Sequence, residues 1–418
     1  MRGVLSCLLA LVLALGATPL AVYADEGEGT TQSETLVSEG TSETKQLKAG
    51  EIRVHTNEGS TTYDAGNADL FRAAMMQAPN GSTIELGAGT YSLYKSGADD
   101  DWDKMMKDKT FTFVGQSPEE TSWRIGAEAS PGLNGEGNSD YSFKGSKSIT
   151  FQNMKLSVLY EENYLGFSHT YDTLVENCVI EGRTQYWGYN SATFRHTKFV
   201  CAKGDYAYAL WTYSSATETF DHCTFDASAN PGKGKIIYVH NDKTDTLFTI
   251  NFNDCTVISK GAKKQVLCIK DVTDYSNQPE KFIINISGNN IINGDVPVDS
   301  ITCSRLFGFG GKEENNNGNT IVNFGKTTVW KDGKMVDAEA YHNSGVTADG
   351  VTYNNNVDGS NVSLYAEGYK DNAFDTTTSE WTTNADGKIS RTVTKKCRYC
   401  AYQENVTEYQ VKLTYNAN

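Results

Sequence analysis

The chain has 418 residues, more than one ordinary domain holds, so the sequence encodes either two or three domains or a repeat fold. Its 52 acidic and 37 basic residues give a formal net charge of −15, and no basic cluster reverses that sign locally. Such a charge repels phosphate backbones, so nucleic acid is not expected as a partner. The 38 Gly and 23 Tyr against only 7 Pro favour strands and turns, which predicts a mostly β fold.

The first 48 residues read as export and spacer segments. Arg2 precedes an apolar run over residues 4–15, and small residues stand before a cleavage point after Ala24. The run is shorter than the about 20 residues of a transmembrane helix. The sequence therefore predicts a signal peptide at 1–24, a secreted or cell-surface location, and no membrane insertion after signal removal. Residues 25–48 are acidic and rich in Ser, Thr and Gly, which predicts a disordered spacer.

A short apolar block recurs seven times in the central region, at intervals of 19 to 38 residues. This spacing is typical of one supersecondary unit per coil of a repeat protein. The anchor residues of the block are Phe151, Val175, Phe194, Phe220, Phe252, Ile286 and Phe324. Two residues after each anchor stand Asn153, Asn177, His196, His222, Asp254, Gly288 and Lys326. Most of these types tolerate a left-handed backbone, so the block predicts a strand, a sharp bend and a second strand.

A further strand is predicted upstream of each block. Its alternation places Leu165, Trp187, Ala209, Ile237, Leu267 and Leu306 on the inner face, together with Phe167, Tyr189, Trp211, Val239, Ile269 and Gly308. The same alternation aligns Tyr164, Tyr186 and Tyr208 as an outward row. The sequence therefore predicts three strands in each coil.

This organisation resembles the right-handed parallel β-helix of the pectate-lyase-like superfamily. The entry segment adds to the resemblance, because residues 70–76 read as a short amphipathic helix and residues 81–91 read as the first strands. The resemblance covers roughly residues 50–330. It implies an all-β right-handed parallel β-helix solenoid at 49–330, closed by an N-terminal capping helix.

The sequence after the solenoid divides into two parts. Residues 331–365 predict a loop and hairpin extension around the turn at 331–334, and residues 366–418 predict a small C-terminal β module. This module contains Cys397 and Cys400, which could form a local disulfide, a redox pair or half of a zinc site. Zinc is not expected, because the sequence has no second such pair to complete four ligands.

Three further cysteines, Cys178, Cys223 and Cys255, share one inward position of the repeat. Strands about 4.8 Å apart hold such side chains parallel, with a Cβ separation wider than a relaxed disulfide prefers. A thiol ladder in the core is therefore favoured over a disulfide.

The outward face of the upstream strands is the predicted binding site. Tyr164, Tyr186 and Tyr208 would form a flat aromatic strip on which sugar rings bind, with Asn190, Tyr238 and Asp271 as further contacts. In the alternative, longer loops cover these aromatic residues.

A catalytic set is the second possibility on the same face. His240 or Lys270 could act as a base, Arg305 could stabilise charge, and Asp242 could act as an acid. The sequence lacks the calcium-binding aspartate cluster and Arg motif of the lyases, and the paired-Asp set of the polygalacturonases. The acidic run at 99–103 could bind calcium, with a solvated loop as the alternative. No other cofactor and no metal ligands are expected.

Three functional classes follow. The favoured one is an exported β-helix protein that binds polysaccharide or a cell-surface glycan, or acts as an adhesin. The second is a polysaccharide lyase or glycoside hydrolase acting in the same groove. The third is a purely structural adhesive stalk. A monomer is expected in each case.

Overall fold

The computed structural model describes residues 46–64, 74, 76–93, 106–125, 140–142, 145–158, 164–201, 209–213, 217–229, 236–241, 247–258, 267–271, 282–293, 307–308, 320–331, 334–336, 346–348, 351–355, 357–365, 374–384, 387–397 and 403–410. The predicted signal peptide, nearly all of the predicted spacer, most of the predicted capping helix and the acidic run at 99–103 lie outside these residues. Residues 46–418 form one compact unit.

The described part of the chain is all-β. Its strands are β1 (Glu51–Thr56), β2 (Gly59–Asp64), β3 (Thr83–Leu86), β4 (Gly89–Leu93), β5 (Thr110–Val114), β6 (Thr121–Ile125), β7 (Asp140–Ser142), β8 (Ser148–Gln152), β9 (Lys155–Val158), β10 (Tyr164–Glu176), β11 (Val179–Arg195), β12 (Lys198–Cys201), β13 (Leu210–Tyr213), β14 (Thr217–Asp221), β15 (Thr224–Asp226), β16 (Ile237–Asn241), β17 (Thr249–Asn253), β18 (Thr256–Ile258), β19 (Leu267–Asp271), β20 (Ile283–Ser287), β21 (Asn289–Asn293), β22 (Phe307–Gly308), β23 (Thr320–Phe324), β24 (Lys326–Lys331), β25 (Lys334–Val336), β26 (Val346–Ala348), β27 (Val351–Asn355), β28 (Asn361–Tyr365), β29 (Phe374–Thr378), β30 (Thr382–Thr383), β31 (Ile389–Cys397) and β32 (Gln403–Tyr409). No helix among the described residues combines the length and the apolar character needed to cross a membrane.

Most of these strands pair in parallel, in three ladders. Ladder 1 runs through β3, β5, β8, the ends of β10 and β11, then β14, β17, β20, β23 and β27. Ladder 2 runs through β7, the start of β10, the middle of β11, then β13, β16, β19 and β22. Ladder 3 runs through β4, β6, β9, the start of β11, then β12, β15, β18, β21, β28 and β24.

Left-handed bends join ladder 1 to ladder 3, as the repeated block predicts. The bend residues with positive φ are Asn153, Asn177, His196, His222, Asp254 and Gly288, with φ between 48° and 71°. In the seventh copy the prediction was wrong, because Lys326 begins strand β24 instead of occupying a bend. Asn, Asp, His and Gly are the types for which this conformation is least strained.

The anchor residues stack along the inside of ladder 1. Phe113 pairs with Phe151, Phe194 with Phe220, and Phe220 with Phe252. The ring centroids of these pairs are 5.3, 5.0 and 5.1 Å apart, and the rings are nearly parallel. Because each ring covers its neighbour in the adjacent strand, the column buries a continuous apolar core.

The predicted cysteine ladder is confirmed. Cys178, Cys223 and Cys255 are buried and free, with the Sγ of Cys223 3.2 Å from the carbonyl oxygen of Phe194. Burial raises the pKa of the Cys178 thiol to about 12 and raises that of Cys255 as well. The thiols of Cys178 and Cys255 are therefore protonated and unreactive at neutral pH. Cys303 and Cys400, and the side chain of Cys397, lie outside the described residues.

The predicted faces of ladder 2 are correct in β16 and β19 and wrong in β11, β13 and β22. In β22, Phe307 pairs with the inward Leu267 and Gly308 pairs with Cys268. The structure pairs Leu210 with Ile237 and Trp211 with Tyr238, one residue away from the predicted alignment. Because strand side chains alternate, a slip of one residue reverses the faces. Tyr186 therefore points into the core, and the outward tyrosine row is a wrong prediction. Tyr164 pairs with Arg183 and Tyr186 with Phe167, so these two tyrosines do not align.

Antiparallel strands lie at both ends of ladder 1 and at the C-terminal end of ladder 3. β1 pairs antiparallel with β2 and β3 at the N-terminal end, while β25 pairs antiparallel with β24 and β26 with β27 at the other end. The predicted hairpin around residues 331–334 is confirmed by the antiparallel pairing of Lys331 with Lys334. Covered edges of this kind prevent further strands from adding to the sheet.

The ladders extend beyond residue 330, where the sequence predicted only a loop and hairpin extension. β27 adds to ladder 1 and β28 lies between β21 and β24 in ladder 3. Within the predicted C-terminal module, β29, β30 and β32 pair antiparallel with β31.

Candidate functional site

Two exposed tyrosines pack against each other on β10 and β11. Tyr171 is 51% and Tyr189 is 39% exposed, and their ring centroids are 5.6 Å apart. The pairing of β10 with β11 shifts register between Ser168 and Asp172. Because Tyr186 and Gly188 are buried, alternation along β11 turns Tyr189 toward solvent, whereas the sequence analysis had placed it inside.

Polar groups lie beside this tyrosine pair in sequence and on the same strands. Asn190 donates from Nδ2 to Oδ1 of Asp172 at 2.6 Å, and the Ser191 hydroxyl lies 2.6 Å from the same oxygen. Asn190 is exposed, as predicted. The two bonds fix the Asp172 carboxylate next to the aromatic surface, so the site combines apolar ring faces with oriented hydrogen-bonding groups.

The strand beneath the pair is rigidly packed. Tyr186 is 1% exposed, and its ring lies edge-on to Phe194 with centroids 5.4 Å apart. Its hydroxyl donates to Oγ1 of Thr173 at 3.3 Å. A Cβ at Gly188 would lie 2.1 Å from the Tyr186 hydroxyl oxygen, so any larger residue there would force the Tyr186 side chain to move. This packing holds the backbone that presents Tyr189 and Asn190.

A second aromatic cluster lies on the outward face of ladder 2. The ring centroid of Trp211 is 5.4 Å from that of Tyr238 and 6.3 Å from that of His240. The Tyr238 and His240 rings are nearly parallel, with centroids 6.2 Å apart. Tyr238 is only 7% exposed, and burial raises its pKa well above the ordinary value of tyrosine. This face is therefore largely covered at Tyr238 and half-open at Trp211 and His240.

The strand register brings part of the predicted catalytic set together. His240 pairs with Lys270, and Asn241 pairs with Asp271, on adjacent strands β16 and β19. Asp242, Arg305 and Tyr208 lie outside the described residues, as do the side chains of Tyr164, Lys270 and Asp271. The catalytic roles of His240, Asp242, Lys270 and Arg305 stay predictions.

The outward face of ladder 1 carries an asparagine ladder that the sequence analysis missed. Asn285 donates to Asn251 at 2.9 Å, Asn323 to Asn285 at 2.9 Å, and Asn354 to Asn323 at 3.0 Å, each from Nδ2 to Oδ1. Three of these residues lead repeated blocks, so the signal was present in the sequence. The row makes this part of the face uncharged and flat.

Comparisons of this chain with models of protein families, with curated proteins and with solved structures find no match. Its class is therefore defined by the structure: an all-β protein built from long parallel ladders, with an exposed tyrosine pair on its outer surface.

Proposed function

We propose that the chain is an exported right-handed parallel β-helix protein that binds polysaccharide, in solution or on a cell surface, through the outward face of its parallel strands. The observation that carries the proposal is the mutually packed pair Tyr171 and Tyr189, both exposed on adjacent strands. Exposed aromatic surface marks a contact site, and a few placed polar groups supply orientation. Asp172 and Asn190 supply those groups here.

The charge of the chain favours a neutral glycan. At −15, the protein repels polymers that carry a carboxylate on each sugar. The charged side chain next to the tyrosine pair in sequence is Asp172. Its carboxylate can accept hydrogen bonds from sugar hydroxyls, but it repels anionic sugars. A neutral polysaccharide is therefore the proposed ligand.

Affinity electrophoresis in gels that contain neutral or acidic polysaccharides tests this proposal. We expect the wild-type chain from residue 25 onward to be retarded by a neutral polymer, and the Tyr171→Ala/Tyr189→Ala variant to migrate freely. Tyr409→Ala is the matched control, because Tyr409 is 57% exposed in the C-terminal sheet. Retardation of the double variant at wild-type strength would reject this site, and absence of retardation in every gel would favour the structural stalk.

A lyase or hydrolase is the second candidate function. It is supported by the pairing of His240 with Lys270 on adjacent strands beside Trp211 and Tyr238. Release of reducing ends from a polysaccharide panel measures this activity. We expect His240→Ala and Lys270→Ala to abolish release if the cluster is catalytic. No release from any polymer by the wild-type chain would leave binding alone.

A further inference from the structure

The bends between ladders 1 and 3 place metal-ligating side chains along one edge of the molecule. His196, His222 and Asp254 occupy equivalent left-handed positions in successive coils. Neighbouring strands lie about 4.8 Å apart, so these side chains leave the backbone in one direction and at one spacing. The edge is solvent-accessible, since His196 and His222 are exposed and Asp254 is half-buried.

Three of the side chains on this edge converge. The ligand atoms of Asp221, His222 and Asp254 all lie within 4.8 Å of one another. A second imidazole is close, because the His196 ring packs against the His222 ring with centroids 5.1 Å apart. The cluster thus offers two imidazoles and two carboxylates from three successive coils.

Local contacts orient the donors. Nδ1 of His222 lies 2.8 Å from Oδ1 of Asp221, an arrangement in which a carboxylate fixes the imidazole orientation. Oδ1 of Asp254 accepts a hydrogen bond from the amide of Asn289 at 2.8 Å. A Cβ at Gly288 would lie 2.5 Å from that oxygen, so the glycine leaves the space that the Asp254 carboxylate occupies.

Arg195 forms an ion pair with this carboxylate set. Its Nε lies 3.4 Å from Oδ2 of Asp221, and its Nη1 lies 3.1 Å from Oε1 of Glu176. If Asp221 turns toward a metal ion, Arg195 keeps Glu176 as its partner. The competing ion pair is exposed and therefore weak.

We propose that Asp221, His222 and Asp254 bind a divalent transition-metal ion such as Zn²⁺, with His196 as a further donor. Mixed imidazole and carboxylate donors suit Zn²⁺ and its neighbours, whereas Ca²⁺ and Mg²⁺ prefer oxygen ligands alone. An ion held there joins three coils and stabilises the folded state by mass action. The site is independent of the proposed glycan surface.

Titration calorimetry with ZnCl₂ on the purified chain tests the proposal, with a phosphine reductant that keeps cysteines reduced. We expect saturable binding by the wild-type protein and at least about tenfold weaker binding by His222→Asn and by Asp254→Asn. Asparagine is chosen because Asn153 and Asn177 occupy the same left-handed bend, so the backbone is not strained. His55→Asn is the matched control, because His55 also pairs with a carboxylate, that of Glu85, and both residues are distant in sequence from the cluster.

Thermal unfolding gives a second readout. Zn²⁺ should raise the melting temperature of the wild-type and His55→Asn proteins and raise that of His222→Asn by a clearly smaller amount at the same Zn²⁺ concentration. Equal Zn²⁺ affinity in wild type and His222→Asn would place the ion elsewhere, for example at cysteines, and overturn the proposal. Absence of Zn²⁺ binding by the wild-type chain would also overturn it.

Discussion

Glu218 is a carboxyl group inside the core. It lies in an inward column of ladder 1 between Ala192 and Ile250, and it is fully buried. The Thr212 hydroxyl lies 2.7 and 2.6 Å from its two oxygens. Desolvation raises the pKa of Glu218 to about 8, although the Thr212 hydrogen bond opposes this. The Tyr186 hydroxyl is the other titratable group that interacts with it, and it carries no charge at neutral pH.

Replacing Glu218 with Gln should change how stability depends on pH. Between pH 4.5 and about 8 the folded wild type keeps this proton while the unfolded chain has lost it. The free energy of unfolding therefore falls as pH rises through this window, by at most about 1.4 kcal/mol per pH unit. Glu218→Gln is always neutral and should lose this component.

Urea unfolding at pH 5 and pH 8 measures the effect. Stability of the wild type should decrease more between these values than stability of Glu218→Gln. The exposed substitution Glu58→Gln serves as control and should follow the wild type. The same pH dependence in wild type and Glu218→Gln would mean that Glu218 is ionised in the folded protein.

At the scale of strands, the last coil has an unusual order. In ladder 1 the later strand, β27, lies outermost, next to β23. In ladder 3 the later strand, β28, lies between β21 and β24, so the earlier strand, β24, is outermost. The connection from β23 to β24 must therefore cross the connection from β27 to β28. Gly325 and Ser360 mark the crossing, where the amide of Gly288 also donates to Oγ of Ser360 at 3.0 Å. Crossed connections are rare in proteins.

Gly325→Ala should destabilise this crossing strongly. A Cβ at Gly325 would lie 2.0 Å from the carbonyl oxygen of Ser360, which is backbone and cannot rotate away. We expect a loss of about 3 kcal/mol in the free energy of unfolding, at the upper end for overpacked sites. Denaturant unfolding checks this. Asp358→Ala, in the exposed turn of the same connection, should change stability by less than about 0.5 kcal/mol. Equal stabilities would argue against the crossing.

At the scale of the whole molecule, the repeated block predicted the bends and core columns well. Asn177, for example, tolerates a left-handed backbone and lies two residues after an apolar anchor. This short pattern is recognisable even though the loops between its copies differ in length. The predicted alternation in β11 and β13 was shifted by one residue, because both faces of these strands carry apolar or aromatic residues, and such a shift reverses the two faces. Glu218 was missed because residue type alone assigns a carboxyl group to the surface. The sequence analysis identified His196, His222 and Asp254 as bend residues. It did not predict that strand pairing brings Asp221 close to Asp254.

Truncated chains test how much the last coil of the ladders contributes to stability. A chain that ends at residue 366 retains every strand of the three ladders, whereas a chain that ends at residue 345 lacks β26, β27 and β28. The shorter chain loses the buried Val351, Tyr353 and Val362. We therefore expect it to melt at a lower temperature than the chain that ends at residue 366. Identical melting curves would show that the last coil adds nothing to stability.

The crossing at Gly325 also dictates an order of assembly. During synthesis β24 leaves the ribosome before β28, yet in the finished ladder β28 separates it from β21. Until β28 has been synthesised, β24 either stays unpaired or pairs with β21, and in the second case that pairing must break before β28 can insert. The final coil of this protein therefore reaches its finished strand order only after translation has passed residue 365, although β24 was made first.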